Sequence, residues 1–201
     1  MSFNLTKNEP FNLAKANNGP ALSKIFLGLG WDVAKSTAKP GLMGKLFGGS
    51  PAVESVDLDS SCLMFDANKK LLDSVWFCQL KSKDGSVRHG GDNRTGAGDG
   101  DDEVIEVELD RVPANVQTLV FVINSFTGVT FEKIESAVVR VVDQTNNQEF
   151  ARFNLAANGR YTAQIMAKVT RVGTGWAVTA LGVPTNGRTV QDLVPAVLVL
   201  L

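Results

Sequence analysis

The stretch GDNRTGAGDGDDE, residues 91–103 and here called the acidic loop, combines the residue types that bind hard metal cations. Six of its thirteen residues are Asp, Asn or Glu, and four are Gly. Calcium takes about six to eight oxygen ligands from carboxylates, amides and backbone carbonyls. Glycines let the backbone fold tightly enough to turn its own carbonyls inward. Because unneutralised carboxylates at this density would repel one another, the stretch predicts a calcium-binding loop rather than a solvated turn.

The acidic loop does not have the EF-hand pattern, although residues 92–103 have the right length and the right end residues. EF-hand positions three and five carry oxygen ligands and position six is Gly, whereas here they hold Arg94, Gly96 and Ala97. The flanking segments also predict strands rather than helices. A transition-metal site is disfavoured because His89 is the only histidine and neither cysteine lies in a ligand-spaced cluster.

A second acidic element, VDLDSS, precedes the loop in the chain. Asp57 and Asp59 flank Leu58, and on a strand this spacing points both carboxylates to one side. Asp32 ends the preceding predicted strand, in GLGWD. We expect that strand and VDLDSS to form an antiparallel hairpin across residues 36–53, which would bring Asp32 near Asp57. Acidic elements meeting in this way would form a cup for one or two ions.

Short apolar runs with period-two alternation dominate the chain, and turn signals such as DANKK, KSKDGS and DQTNNQE separate them. This pattern predicts an all-β fold, a β-sandwich of two mainly antiparallel sheets with the acidic loop at one end. The closing TVQDLVPAVLVLL is expected to be a short helix or a last strand. The predicted strands are residues 24–33, 55–66, 72–80, 103–109, 118–126, 137–143, 149–155, 161–172 and 176–182.

Composition excludes several classes of protein. The net charge is only -1, and residues 51–110 carry fourteen acidic against six basic side chains, so the basic stripe of a nucleic-acid binder is missing. The longest apolar run is too short to span a bilayer, and the N-terminus MSFNLTKNEP lacks the apolar segment of a signal peptide. Cys62 and Cys78, interpreted as buried thiols, favour a reduced, cytoplasmic setting. His89 is expected to be exposed at a strand end.

Four motifs stand out in the chain: GLGWD (28–32), DLDSS (57–61), the long stretch 81–103 and RVVD (140–143). Together they resemble the TerD family of tellurium-resistance and stress-response proteins, and variants such as CLMFDA and GRTVQDLVP are similar to its TerZ-type members. The resemblance covers essentially the whole chain and implies one TerD-like domain over residues 1–201. It implies a β-sandwich that binds calcium, two ions per chain, through the acidic motif. The basic, Gly/Pro-rich residues 36–53 form an insertion longer than the linker of compact members.

The resemblance also implies a ligand set and a biological setting. The setting is a non-enzymatic calcium-binding module of a bacterial tellurite and chemical-stress resistance system, in which the ion orders a partner-binding surface. Its partners would be related resistance and stress proteins, including membrane-associated ones. Arg94 and Thr95 are expected to shape the loop. The implied metal ligands are Asp32, Asp57, Asp59, Asp92, Asn93, Asp99, Asp101, Asp102 and Glu103.

Two other functions stay open on the sequence. A metal-dependent hydrolase, such as a phosphoesterase, would use the same carboxylates to hold two ions about 3.5–4 Å apart. No general acid and no phosphate-binding Arg/Lys set accompanies the motif, and so many anionic ligands would leave no open coordination position. The third function is a calcium-bridged membrane-surface binder, in which the acidic loop and residues 36–53 contact anionic lipid.

Overall fold

The computed structural model describes residues 10–12, 22–33, 56–96, 100–155 and 159–201. These residues form two antiparallel sheets, which confirms the predicted all-β fold of two sheets. Short 3-10 helices occupy Leu109–Arg111 and Phe131–Lys133. The strands are β1 Pro10–Asn12, β2 Lys24–Val33, β3 Leu58–Phe65, β4 Leu71–Val75, β5 Val87–His89, β6 Glu103–Glu108, β7 Thr118–Ser125, β8 Ile134–Asp143, β9 Gln148–Asn154, β10 Ala163–Val172 and β11 Gly175–Thr185, followed by helix α1, Val190–Leu198.

The six-stranded sheet has the order β1-β11-β10-β7-β3-β4, and the five-stranded sheet has the order β5-β6-β2-β8-β9. Alternation along β3 separates two apolar layers. Leu58, Cys62 and Met64 face the main core, whereas Leu63 and Phe65 belong to a second core packed with α1. The main core lies between the sheets, and α1 covers the outer face of the six-stranded sheet.

The C-terminal segment is a helix because its first turn is well capped. Thr189 and Asp192 form a capping box, in which each side chain accepts from the other residue's backbone N–H. Val190, Leu193 and Val197 are buried against the sheet. No helix in the described part of the chain is both long and apolar enough to cross a membrane.

The expected hairpin between the second strand and VDLDSS is wrong. Strand β2 pairs with β6 and β8, whereas β3 pairs with β4 and β7, so the two strands lie in different sheets. Connections in a β-sandwich often cross between the sheets, and the connection here is long enough to do so. The insertion at residues 36–53 lies outside the described residues.

The expectation of two buried thiols is half wrong. Cys62 is buried opposite Val75, and burial raises the pKa of its thiol. Cys78 is exposed because the strand predicted at residues 72–80 ends at Val75. The chain then turns sharply, with the N–H groups of Trp76 and Gln79 donating to each other's carbonyls at 3.1 and 2.8 Å.

Candidate metal centre

Three of the predicted ligands come together at the start of β3. One carboxylate oxygen from each of Asp57, Asp59 and Asp92 lies within 4.8 Å of the other two. Asp57 directly precedes β3, Asp59 is its second residue, and Asp92 comes from the acidic loop. Asp57 and Asp59 are only 8% and 3% exposed, whereas Asp92 faces solvent. The group is therefore a largely buried acidic pocket with one solvent-exposed wall.

Burial strongly disfavours the charged form of these carboxyl groups. Burial, together with the charges of Glu103 and Asp57 and against a smaller effect of a hydrogen bond from Asn124, raises the pKa of Asp59 to about 8. Burial also raises the pKa of Asp57, with the charge of Asp92 adding to the shift and the charge of Arg94 opposing it. Asp59 is therefore mostly protonated at pH 7 unless a cation compensates its charge.

Asn124, which is not among the predicted ligands, is buried in β7 beside Asp59. Its Nδ2 donates to Asp59 Oδ2 at 2.9 Å and to the backbone carbonyl of Arg188 at 2.8 Å. Asn124 Oδ1 and Asp57 Oδ1 are both buried without a hydrogen-bond partner in the described structure. The signal was the polar Asn in the apolar run TLVFVINSF, but its position beside Asp59 depends on the strand pairing.

Glu103 lies at the base of the acidic loop, and hydrogen bonds surround its carboxylate. Oε2 accepts from both the N–H and the O–H of Ser60, at 2.7 and 2.8 Å, and Oε1 accepts from the N–H of Asn93 at 3.3 Å. Nε2 of His89 lies 3.3 Å from Oε2. Three of these contacts fall on Oε2 and one on Oε1, and together they anchor the loop to β3.

His89 is buried rather than exposed, which corrects the expectation from the sequence. Strand β5 places it opposite Ile105 of β6, close to Glu103. Its Nδ1 accepts from the N–H of Gly91 at 3.1 Å, and this contact assigns the ring proton to Nε2, which points at Glu103. The imidazole therefore joins the first residue of the acidic loop to the last one.

Ser60, His89 and Glu103 do not form a catalytic triad. A triad base contacts the nucleophile through one ring nitrogen and the carboxylate through the other. Here Ser60 and Glu103 both approach Nε2, while Nδ1 accepts from a backbone N–H. All three side chains are buried, so the arrangement is suited to holding the loop rather than to attacking a substrate.

Asn93 and Asp102 stabilise the loop from within. Asp102 accepts from the Trp31 N–H through Oδ2 at 2.9 Å and from Asn93 Nδ2 through Oδ1 at 3.0 Å. Asn93 Oδ1 accepts in turn from the N–H groups of Thr95 and Gly96, both at 3.1 Å. Burial raises the pKa of Asp102, with the Trp31 hydrogen bond opposing the shift. Both predicted ligands are thus engaged in protein contacts.

The remaining predicted ligands lie apart from the Asp57 group or outside the described residues. Asp101 forms a bidentate ion pair with Arg140, whose Nη2 and Nε lie 2.7 and 3.0 Å from its two oxygens. Asp32 is exposed and lines a separate cavity of about 420 Å³ together with Asp101 and Asp102. Asp99 lies outside the described residues.

These features define a class of protein, a β-sandwich with an oxygen-lined acidic pocket formed by the start of β3 and the acidic loop. A family model described as the TerD domain matches residues 1–196. The chain therefore belongs to the TerD domain family, and the family assignment from the sequence is confirmed.

Proteins named for resistance and stress are among its relatives. The chain is 47% identical to tellurium resistance protein TerZ of Serratia marcescens, over 94% of this chain and 93% of the relative. It is 41% identical to stress response protein SCP2 of Bacillus subtilis, over 96% of this chain and 98% of the relative. The family is thus one of tellurium-resistance and stress-response proteins.

The fold is also shared with a solved structure of low sequence identity. A homologue of telluride resistance protein (TerD) from Streptomyces coelicolor A3(2) superposes with a TM-score of 0.70 at 19% identity. The match covers 86% of this chain and 95% of that one. This similarity supports the two-sheet architecture.

Proposed function

We propose that this protein is a cytoplasmic, non-enzymatic calcium-binding module of a tellurite and chemical-stress resistance system. The observation that carries the proposal is the buried convergence of Asp57, Asp59 and Asp92. A buried Asp59 whose pKa is raised to about 8 is costly for the empty protein, and a bound cation offsets that cost. The names of the relatives supply the biological setting.

Calcium is the cation that best fits these donors. The side chains around the pocket offer carboxylate and amide oxygens, which are hard ligands, and the partly exposed wall leaves room for water. His89 is the only histidine of the chain, and its ring nitrogens already contact Gly91 and Glu103. Zinc and copper, which favour nitrogen and sulfur ligands, are therefore less suited to this pocket.

We infer that the two proposed ions bind with different strengths. The first ion binds the Asp57 group. The second would use Asp32, Asp101 and Asp102, which line one cavity. Because Arg140 already pairs with Asp101, the second ion has to compete with a guanidinium and is expected to bind more weakly.

Calcium binding would order the acidic loop and, with it, the surface that other resistance and stress proteins contact. The loop is linked to both sheets, since Asp102 accepts from Trp31 of β2 and Glu103 accepts from Ser60 of β3. An ion that also joins Asp92 to Asp59 tightens this linkage. The hydrolase alternative gains no support, because the buried His89 and Glu103 hold the loop and contact each other.

Thermal unfolding of the chelator-treated protein tests this proposal. A ligand that binds only the folded state at a hundredfold excess over Kd stabilises it by about 2.7 kcal/mol, which raises the Tm of a chain this size by about 5–10 °C. We expect calcium to give this shift and magnesium at equal concentration to give much less. The variant Asp110→Asn, which changes an exposed carboxylate, is the control and should behave as the wild type. Equal unfolding curves with and without calcium would contradict the proposal.

A further inference from the structure

We propose that Asn124 supplies a fourth side chain to the calcium site and binds the ion through its amide oxygen Oδ1. The inference rests on the proposed calcium-binding function and adds a residue that the acidic motifs do not contain. It is carried by a buried oxygen atom that lies beside Asp59 and has no partner.

The pairing of two strands places Asn124 at the acidic pocket. Strands β3 and β7 are antiparallel neighbours, and Asn124 is the register partner of Asp59. Just beyond it in the chain, the N–H of Phe126 donates to the carbonyl of Asp57 at 2.9 Å. The end of β7 is thereby fixed against the segment that carries both aspartates.

The hydrogen bonds of Asn124 determine which way its amide faces. Nδ2 lies 2.8 Å from the carbonyl oxygen of Arg188, and a carbonyl oxygen can only accept. The amide nitrogen must therefore face Arg188, and its second hydrogen bond goes to Asp59 Oδ2. Since Oδ1 is bonded to the same carbon as Nδ2, it also lies next to the Asp59 carboxylate.

Leaving Oδ1 without a partner is costly in the absence of a ligand. Asn124 is 1% exposed, so bulk water does not reach its side chain. An unsatisfied buried acceptor destabilises a protein by about 1–3 kcal/mol. Asp57 Oδ1, just before the adjacent strand β3, is also buried without a partner. Both oxygens belong to residues beside Asp59, where a bound cation would satisfy them.

An amide oxygen suits this position chemically. Calcium takes amide oxygens as well as carboxylates as ligands, and a neutral donor adds a ligand without adding to the repulsion among the carboxylates. The site would then be formed by three carboxylates and one amide, namely Asp57, Asp59, Asp92 and Asn124, with water on the exposed side of Asp92.

Asn124 could instead matter only through Nδ2, as a donor that positions Asp59. Two substitutions separate these roles. Asn124→Ala removes both the oxygen and the donor, whereas Asn124→Asp keeps an oxygen at the same place and removes the donor. If Oδ1 binds the ion, the Ala variant weakens calcium binding at least about tenfold and the Asp variant binds at least as tightly as the wild type. If only the donor matters, both variants lose affinity together.

The experiment is calorimetric titration of calcium into the chelator-treated wild type, Asn124→Ala and Asn124→Asp. The same two substitutions at Asn115, which is exposed in the turn before β7, are the matched controls. Unchanged binding by Asn124→Ala, or parallel losses in both Asn124 variants, would overturn the inference. A wild type that binds no calcium would instead overturn the proposed function, so the two failures are distinguishable.

A second measurement needs no substitution that disturbs folding. In wild-type protein labelled with ¹³C at asparagine, the Asn124 Cγ resonance should move with calcium and saturate at the stoichiometry found by calorimetry. Its assignment comes from the spectrum of either Asn124 variant, where it is missing. An Asn124 Cγ resonance that stays in place while calcium binds would also overturn the inference.

Discussion

Replacing Asp59 by Asn should stabilise the metal-free protein while abolishing most of its stabilisation by calcium. The folded pKa of Asp59 is raised to about 8 from an ordinary value of 3.8. The folded state therefore binds a proton that the unfolded chain releases, so this group's contribution to stability is lost as pH rises from about 4 to about 8. Asn resembles the protonated form and removes this pH-dependent cost.

The size of the effect follows from the same pKa difference. A pH of 7 lies about three units above the ordinary pKa of Asp, and each unit of pH between this pKa and the folded pKa costs about 1.4 kcal/mol. The upper limit is therefore about 4 kcal/mol. Because Asp57 and Glu103 share the repulsion and can relax when Asp59 is neutral, we expect about 2 kcal/mol, or about 4–8 °C in Tm. The amide oxygen introduced at position 59 can still accept the hydrogen bond from Asn124.

The assay is thermal unfolding of wild type and Asp59→Asn between pH 4 and pH 8, with chelator and with saturating calcium. In chelator the variant should be the more stable protein at pH 7, and the difference should shrink towards pH 4. In calcium at pH 7 the order should reverse, since the variant lacks a ligand. Asp110→Asn should track the wild type throughout. A metal-free variant less stable than the wild type at pH 7 would refute the reasoning on burial.

Three further substitutions test other parts of the site. His89→Leu should lower the free energy of unfolding by about 1–3 kcal/mol because Glu103 loses a buried donor. Calorimetry should show weaker calcium binding at unchanged stoichiometry, and lost stoichiometry would mean that His89 does more than hold the loop. Arg140→Met should increase the affinity of the second, weaker calcium site because it frees Asp101. An unchanged affinity of that site in calorimetry would contradict the proposed competition between Arg140 and the ion. Gly96→Ala should cost about 1–3 kcal/mol in chemical denaturation because φ at this position is +61°; a neutral result would show that the loop adapts.

Local patterns in the sequence predicted most elements of the fold. Period-two alternation located the long strands to within a few residues, because each has a core-facing side. The pairing of these strands could not be read from the same patterns. Strands β2 and β3 are both apolar, and each would be buried equally well beside the other as beside its actual neighbours, β8 for β2 and β7 for β3. The three-residue strands β1 and β5 were missed, because elements this short carry no detectable period.

The candidate site shows the same division between local and long-range information. The DLD spacing and the acidic loop identified Asp57, Asp59 and Asp92, because carboxylate density is visible in the sequence. The roles of His89 and Asn124 depend on neighbours from other strands, Glu103 of β6 and Asp59 of β3. Partners that lie 14 and 65 residues away in the chain leave no local pattern to detect.

The central claim is that the pocket of Asp57, Asp59 and Asp92 binds calcium, and calorimetric titration of the chelator-treated protein tests it most directly. We predict a saturable heat of calcium binding in the wild type, a far weaker one with magnesium, and loss of the tighter binding step in Asp57→Asn. The account would be contradicted if calcium gave the wild type no binding heat above that of buffer at several temperatures and did not change its thermal stability.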